Sequence, residues 1–334
     1  MVNTSNEAQG ATAEIAGWTD ANGDRGLREA RTRLLSRFAP GAHTRRLKWS
    51  RGSTEIIEVG EGPPLVLVHG GLSEAGDWAP ILPLLARRFH LYVPDRPGHG
   101  LSNPFDYRGV DMSELCATFL TDVLDNCGLR SVPLVGSSMG GFCAIAFYLR
   151  HPERVSRLIF PGMPAGLQRY VPPGIYQAQK LMHRLSTFLP GALIRSAMTK
   201  PSARRRMVQV MSGFVAHPER VPEEYLDCAR FNLLRNHRSL RWYLDGIVTA
   251  EGLVPSLSLD ERWAELRVPT TFIWGEKDGF ATVVQGRAAS ARVPTSQFEL
   301  IPDAGHGVWV DEPDRVATSI LECLGAYLNP IKTN

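Results

Sequence analysis

The stretch VPLVGSSMGG, Val132 to Gly141, limits the fold more than any other part of this chain. An apolar run meets two glycines that bracket a serine pair, and the helix-patterned MGGFCAIAFYLRHP follows at once. A strand that turns into a helix over so few residues strains the backbone of its central residue. The positions two before and two after must be small, so that the helix can pass the strand. In Gly136-Ser137-Ser138-Met139-Gly140 the centre is Ser138, and Ser137 is its neutral neighbour. Such a corner presents a hydroxyl at the carboxyl edge of a sheet, beside the unpaired N–H groups of a helix N-terminus. A Ser/Gly-rich turn without chemistry fits the same pattern, so the serine needs partners.

The neighbouring segments supply the sheet. Strand-like pieces are TRRLKW (44–49), STEIIEVG (53–60), LVLVHG (65–70) and LYVPDRPGHG (91–100). VPLV, VSRLIFPG, TTFIWGEKD (270–278) and SQFELIPDAGHG (296–307) follow. Helical spacing is read in GLREARTRLLSRF (26–38), WAPILPLLARRF, MSELCATFLTDVLDNC (112–127) and VATSILECLGAYL. Asp111 or Ser113 is available as the cap of the third of these. Short apolar strands alternating with helices predict a mostly parallel sheet covered on both faces. Residues 165–265 break the rhythm. There YQAQKLMHRLSTFL, ARRRMVQVMSGFV, EEYLDCARFNLL and SLRWYLDGIV carry helical patterns, separated by Pro and Gly, with no convincing strand. The organisation predicted is an N-terminal extension over 1–44 with a flexible start and a short helix. A core of 45–164 and 266–330 follows, interrupted by an all-helical insertion.

Composition excludes several classes. The 334 residues are 43% hydrophobic, and 37 basic side chains nearly balance 34 acidic ones, so charge offers no case for nucleic-acid binding. Arg204-Arg205-Arg206 reads as a solvated helix face. The N-terminus lacks a basic start and an apolar run, and no stretch reaches bilayer length. Five cysteines (116, 127, 143, 228, 323) show neither CxxC nor metal spacing with His; reduced thiols and a cytoplasmic protein are expected, with Cys143 in the core. No metal, nucleotide or flavin signature occurs, so no cofactor is expected. Nothing in the sequence bears on oligomeric state.

The serine's partners lie downstream. A hydroxyl becomes nucleophilic when a base takes its proton, and that base is best a histidine oriented by a carboxylate. Asp278 in FIWGEKDGF and His306 in IPDAGHGVWV each fall just past a strand, at the sheet edge where open α/β folds bind ligands. After the strand LVLV, the amides of Gly71 or Leu72 could join that of Met139 in holding an oxyanion.

HGG at 69–71, DRPGHGLS at 95–102, GSSMGG at 136–141, GEKD at 275–278 and GH at 305–306 together resemble the α/β-hydrolase superfamily, in particular its capped, single-domain bacterial members. The resemblance spans roughly residues 45–328. It implies the α/β-hydrolase fold, with an eight-stranded, mostly parallel sheet and helices on both faces, and makes 165–265 a helical cap. It also implies Ser138 as nucleophile, His306 as base, Asp278 as orienting acid, and Gly71 and Met139 as oxyanion donors. The order Ser, Asp, His is the one that arrangement carries.

Rival residues have structural explanations. His99 and His69 read as loop hydrogen-bonders, and Asp303, three residues before His306, as a local tether. Asp95 precedes the serine in the chain. Trp309, Trp242, Tyr243, Phe214 and Met211 either line an apolar acyl pocket or pack the cap. A serine nucleophile disfavours the dehalogenase and epoxide hydrolase branches, which use a carboxylate. The leading expectation is a hydrolase of small, apolar carboxylic esters acting through an acyl-enzyme. Alternatives are a carbon–carbon bond hydrolase of meta-cleavage type, acting on a dienoic diketone acid, a lactonase or a cofactor-free haloperoxidase-like enzyme. A non-catalytic ligand receptor is a reading from a different class.

Overall fold

Apolar runs that alternate faces need cover on both sides, and the computed structural model shows how they get it. It describes residues 21–162, 165–166, 202–249, 252–259 and 262–328. In chain order the elements begin with helix α1 (Ala21–Phe38), β1 (His43–Trp49), β2 (Gly52–Val59), β3 (Pro64–Val68), a short α2 (Leu82–Leu85) and β4 (His90–Pro94). Then come α3 (Met112–Asn126), β5 (Val132–Gly136), α4 (Met139–Tyr148) and β6 (Val155–Pro161). The insertion contributes α5 (Ala203–Met211), α6 (Glu223–Ile247) and a two-residue hairpin, β7 (Val248–Thr249) and β8 (Gly252–Leu253). The chain returns through β9 (Thr270–Gly275), α7 (Val283–Ser290), β10 (Ser296–Ile301), α8 (Val308–Asp311) and α9 (Pro313–Leu328).

The main sheet has eight strands in the order β1-β2-β4-β3-β5-β6-β9-β10. Pairing is antiparallel for β1 with β2 and β2 with β4, and parallel across the rest. The expected mostly parallel, eight-stranded sheet is therefore present. Side-chain alternation divides the core. Ile56, Val66, Val68, Leu134, Leu158 and Phe272 pack toward α3 and α4 on one face. Ile57, Leu65, Leu67, Val135, Ile159 and Ile273 pack toward Trp78, Leu82 and α9 on the other. A third cluster joins α1 to the insertion, with Ala30 and Leu34 against Met207, Met211, Tyr225 and Leu226.

Several local expectations need correction. WAPILPLLARRF does not form one helix: a turn at Ala75–Trp78 and α2 take its place, since Pro80 and Pro83 remove amide donors from the run. EEYLDCARFNLL and SLRWYLDGIV are parts of one 25-residue helix, α6. Its buried positions Tyr225, Cys228, Asn232, Asn236, Ser239, Tyr243 and Ile247 keep a single stripe at three- and four-residue spacing. The hairpin β7–β8 is a small strand pair in a region expected to have none. YQAQKLMHRLSTFL lies outside the described residues. Arg204, Arg205 and Arg206 are exposed on α5, as a solvated face requires.

Cys116 and Cys143 form a disulfide between α3 and α4, against the expectation of reduced thiols throughout. Their Cα atoms lie 4.8 Å apart although 27 residues separate them. Helix packing brings them together, which sequence spacing cannot reveal. Cys143 is buried in the core, as expected. Among the described residues no helix is long and apolar enough to cross a membrane.

The extension is tied into the core. Arg31 of α1 is 2% exposed and donates to both oxygens of Asp95, at 2.8 and 2.9 Å, and also to Glu74 and Glu55. Buried charges persist only when paired and hydrogen-bonded, and here one guanidinium serves three carboxylates. Salt bridges from Arg33 to Asp227 and from Arg37 to Glu224 link α1 to α6.

Candidate active site

Two missing side chains make the corner after β5. A Cβ on Gly140 would lie 2.0 Å from the Val68 carbonyl oxygen, and one on Gly136 would lie 2.6 Å from the Gly140 carbonyl oxygen. Only glycine lets α4 cross β3 this closely. Between them Ser138 adopts φ 51° and ψ −119°, a conformation L-residues avoid. The Ser138 carbonyl accepts from Phe142 N–H at 3.1 Å and Ala165 N–H at 2.8 Å, which holds the corner from both sides. Ser137 is fully buried.

Asp278 and His306 come from the loops after β9 and β10. Those loops press together so closely that a Cβ on Gly275 would lie 2.0 Å from the Gly305 carbonyl oxygen. His306 Nδ1–H donates to Asp278 Oδ2 at 2.8 Å, and Phe280 N–H donates to Asp278 Oδ1 at 2.8 Å. The Asp278 side chain is fully buried and that of His306 nearly so. The bond to Nδ1 fixes the tautomer and leaves Nε2 as the acceptor nitrogen. The Phe280 ring packs 4.4 Å from the imidazole, and Gly307 N–H donates to Phe214 O of the insertion at 2.7 Å.

Ser138 and His306 line one cavity of about 150 Å³. Gly70, Gly71 and Leu72 form its floor, while Met207, Met211, Phe214 and Leu233 supply an apolar wall from the insertion. Gly71 is backed by Tyr243, whose hydroxyl oxygen would lie 2.6 Å from a Cβ there. Met139 begins α4, where its N–H belongs to the unpaired first turn. Leu72 has φ 59°, so the 70–72 turn is itself strained. Of the five pocket candidates, Met211, Phe214 and Trp309 line the cavity. Tyr243 is core, edge-on to His99, and Trp242 stacks under Arg108.

The rival residues hold loops together. His69 accepts from Arg96 N–H at 2.9 Å, and His99 Nδ1–H donates to Pro97 O at 2.7 Å. Burial, then the neighbouring Arg96 charge, holds both imidazoles far below the usual histidine range, so they stay neutral. Asp95 is committed to Arg31 and to the amides of Ala75 and Leu101. Exposed Asp303 bonds to Lys277 and His217.

Among the cavity groups that sequence reasoning missed are Glu74, Asp77 and Tyr225. Glu74 is taken up by Arg31 and by Gly76 N–H at 2.8 Å. Asp77 accepts a hydrogen bond from the Tyr225 hydroxyl and is partly accessible from the cavity. Burial pushes its carboxyl up to about 7; the Ser73 hydroxyl bond opposes this, Glu74 adds to it, and His306 opposes it. Since this value exceeds that of the unfolded chain, native Asp77 holds an extra proton between about pH 4 and pH 7. Stability therefore falls as pH rises through that window. Asp77→Asn keeps an acceptor for Tyr225 and removes the titration. Thermal melting from pH 4.5 to 8 should show a smaller decline for the variant, by at most about 4 kcal/mol and less where cavity water screens the charge. Glu74, Tyr225, His306 and Cys228 line the same cavity and are present in both proteins, so the difference between the two reads the change at Asp77. Among the described residues no cluster of His, Cys, Asp and Glu is arranged to hold a metal ion.

Comparison with known proteins fits this architecture. The sequence model of the alpha/beta hydrolase fold family matches residues 63–313, and the chain belongs to that family. It is a hydrolase by that membership. One curated relative is the 2-hydroxy-6-oxononadienedioate/2-hydroxy-6-oxononatrienedioate hydrolase 2 of Pseudomonas putida. It is 28% identical over 258 residues, covering 75% of this chain and 83% of the relative. Among solved structures, carboxylesterase CesB of Bacillus subtilis superposes with a TM-score of 0.69 at 22% identity, over 91% of this chain and 99% of CesB. The meta-cleavage product hydrolase CumD of Pseudomonas fluorescens IP01 gives 0.66 at 19% identity, over 85% of this chain and 98% of CumD. At these identities the two structures speak to the fold alone.

Proposed function

We propose that the protein is a serine hydrolase in which Ser138 attacks a carbonyl carbon and His306 takes the hydroxyl proton. Asp278 holds the imidazole and stabilises its charged form, while the amides of Gly71 and Met139 stabilise the oxyanion. His306 then returns the proton to the leaving group, and water, deprotonated by the same imidazole, releases the acyl group from Ser138. The observation that carries this reading is one cavity lined by Ser138 and His306, with His306 anchored 2.8 Å from Asp278. The insertion serves as the cap in this reading, and its apolar side chains hold the acyl chain.

The bond cleaved is the finer question. The cavity's character supports carboxylic esters with an uncharged acyl group. Its wall from α5 and α6 is apolar, and the Asp77 carboxyl that also lines the cavity opposes a bound carboxylate. The second reading is a carbon–carbon hydrolase of meta-cleavage type. Comparison gives it more support than the ester reading, because the curated relatives at 26–28% identity carry such names. The esterase likeness, by contrast, is one of fold.

The deciding measurement is kcat/KM for p-nitrophenyl butyrate against 2-hydroxy-6-oxo-6-phenylhexa-2,4-dienoate, on wild type and Ser138→Ala. The ester reading expects the butyrate to be cleaved at least tenfold faster, and the opposite ratio gives the second reading. A protein that turns over neither, yet binds an apolar ligand, is a receptor.

A further inference from the structure

Asp77 is the feature of the cavity that the proposed reaction does not use. A carboxyl beside a mainly apolar wall is costly to keep, and this one is fixed on three sides. The Tyr225 hydroxyl from α6 donates to Oδ1, and Trp309 Nε1–H donates to the Asp77 backbone oxygen at 2.8 Å. Its own N–H donates to Glu74 O at 3.0 Å, which sets the turn. Glu74 differs, because Arg31 neutralises it. An ionised carboxylate offers about four acceptor positions, and Tyr225 occupies one, so Asp77 keeps acceptor capacity toward the cavity.

We infer that Asp77 is a specificity-determining residue, which accepts a hydrogen bond from a hydroxyl on the acyl chain of the substrate and excludes acyl chains that end in a carboxylate. The inference rests on the serine hydrolase reading and narrows it to uncharged hydroxyacyl esters. A site built to hydrogen-bond a hydroxyl discriminates strongly against the analogue without one, because the buried group is then left unpaired. A carboxylate beside Asp77 adds like-charge repulsion in a poorly solvated space.

The test compares p-nitrophenyl hexanoate, the same ester hydroxylated at carbon 3 or carbon 6, and the p-nitrophenyl monoester of adipic acid, at pH 8. In wild type, one hydroxylated ester should exceed the hexanoate at least tenfold in kcat/KM, mainly through KM, and the monoadipate should fall at least tenfold below it. Asp77→Leu should erase both differences. Asp77→Asn keeps an acceptor oxygen without the charge, so it should retain the hydroxyl preference and relieve the monoadipate at least fivefold. A merely structural residue would lower all four substrates together. Substrate ratios that agree within twofold across wild type and variants overturn the inference while Ser138-dependent turnover continues. If Asp77→Leu does not fold, the monoadipate ratio of Asp77→Asn decides. Turnover that survives Ser138→Ala, or no turnover at all, overturns the underlying reading and the inference with it.

Discussion

Ser138→Ala is expected to lose about 10⁵–10⁶-fold in kcat while its folded structure persists. Alanine removes the oxygen proposed to attack and nothing that the corner's backbone bonds require. The Ser138 carbonyl still accepts from Phe142 and Ala165, and the glycines that permit the crossing are untouched. Ser138→Gly should lose activity equally and melt higher than Ser138→Ala. At φ 51° and ψ −119° a Cβ is strained, and relief of such strain is worth on the order of 1–3 kcal/mol. The pair of variants separates chemistry from folding, since both are inactive and only one gains stability. A Ser138→Ala protein with wild-type turnover would assign the nucleophile elsewhere.

Gly140→Ala should remove most of the stability of the whole protein. The added methyl would meet the Val68 carbonyl oxygen at 2.0 Å and the His69 carbonyl oxygen at 2.7 Å, and neither backbone atom can swing aside. Relief requires α4 to lift from β3, which opens the packing around Val68, Leu134 and Phe142. The expected loss exceeds about 4 kcal/mol, a large fraction of the total stability of a typical domain. Soluble yield and melting temperature measure it. The control is Gly325→Ala in α9, where nothing lies within 4 Å of the added carbon. It should gain up to about 1 kcal/mol from helix propensity alone. Equal effects at the two positions would rule out the crossing as the cause.

The residues differ in how far they could be read without coordinates. The strands were legible because β3, β5, β6 and β9 are short apolar runs bounded by Gly, Pro or charge, and a doubly covered sheet tolerates little else. Asp278 and His306 were legible for a related reason. Each follows such a strand, so topology alone carries it to the same edge as Ser138. Helix limits were less legible. Pro80 and Pro83 mark a break inside an apolar pattern, whereas α6 runs unbroken because its buried stripe continues through the charged stretch between its two apolar patterns. Helix α7 was missed although Thr282 and Gln285 form a capping box, a signal visible in the sequence. Asp77, Glu74 and Arg31 were not legible at all. Nothing in the spacing of residues 31, 55, 74 and 95 shows that one guanidinium joins the other three. The Asp77–Tyr225 bond spans 148 residues between two parts of the chain that fold as separate elements.

The ion cluster around Arg31 also bears on the order in which the polypeptide can mature. Residues 63–313 carry the family resemblance, yet the positive charge that neutralises Asp95 and Glu74 comes from outside them. During synthesis α1 leaves the ribosome before any of its three acidic partners, and it cannot dock until residue 95 has followed. A fragment trimmed to the family boundaries would leave those carboxylates without this cation. Through Arg31 this helix belongs to the hydrolase core rather than being an appendage to it.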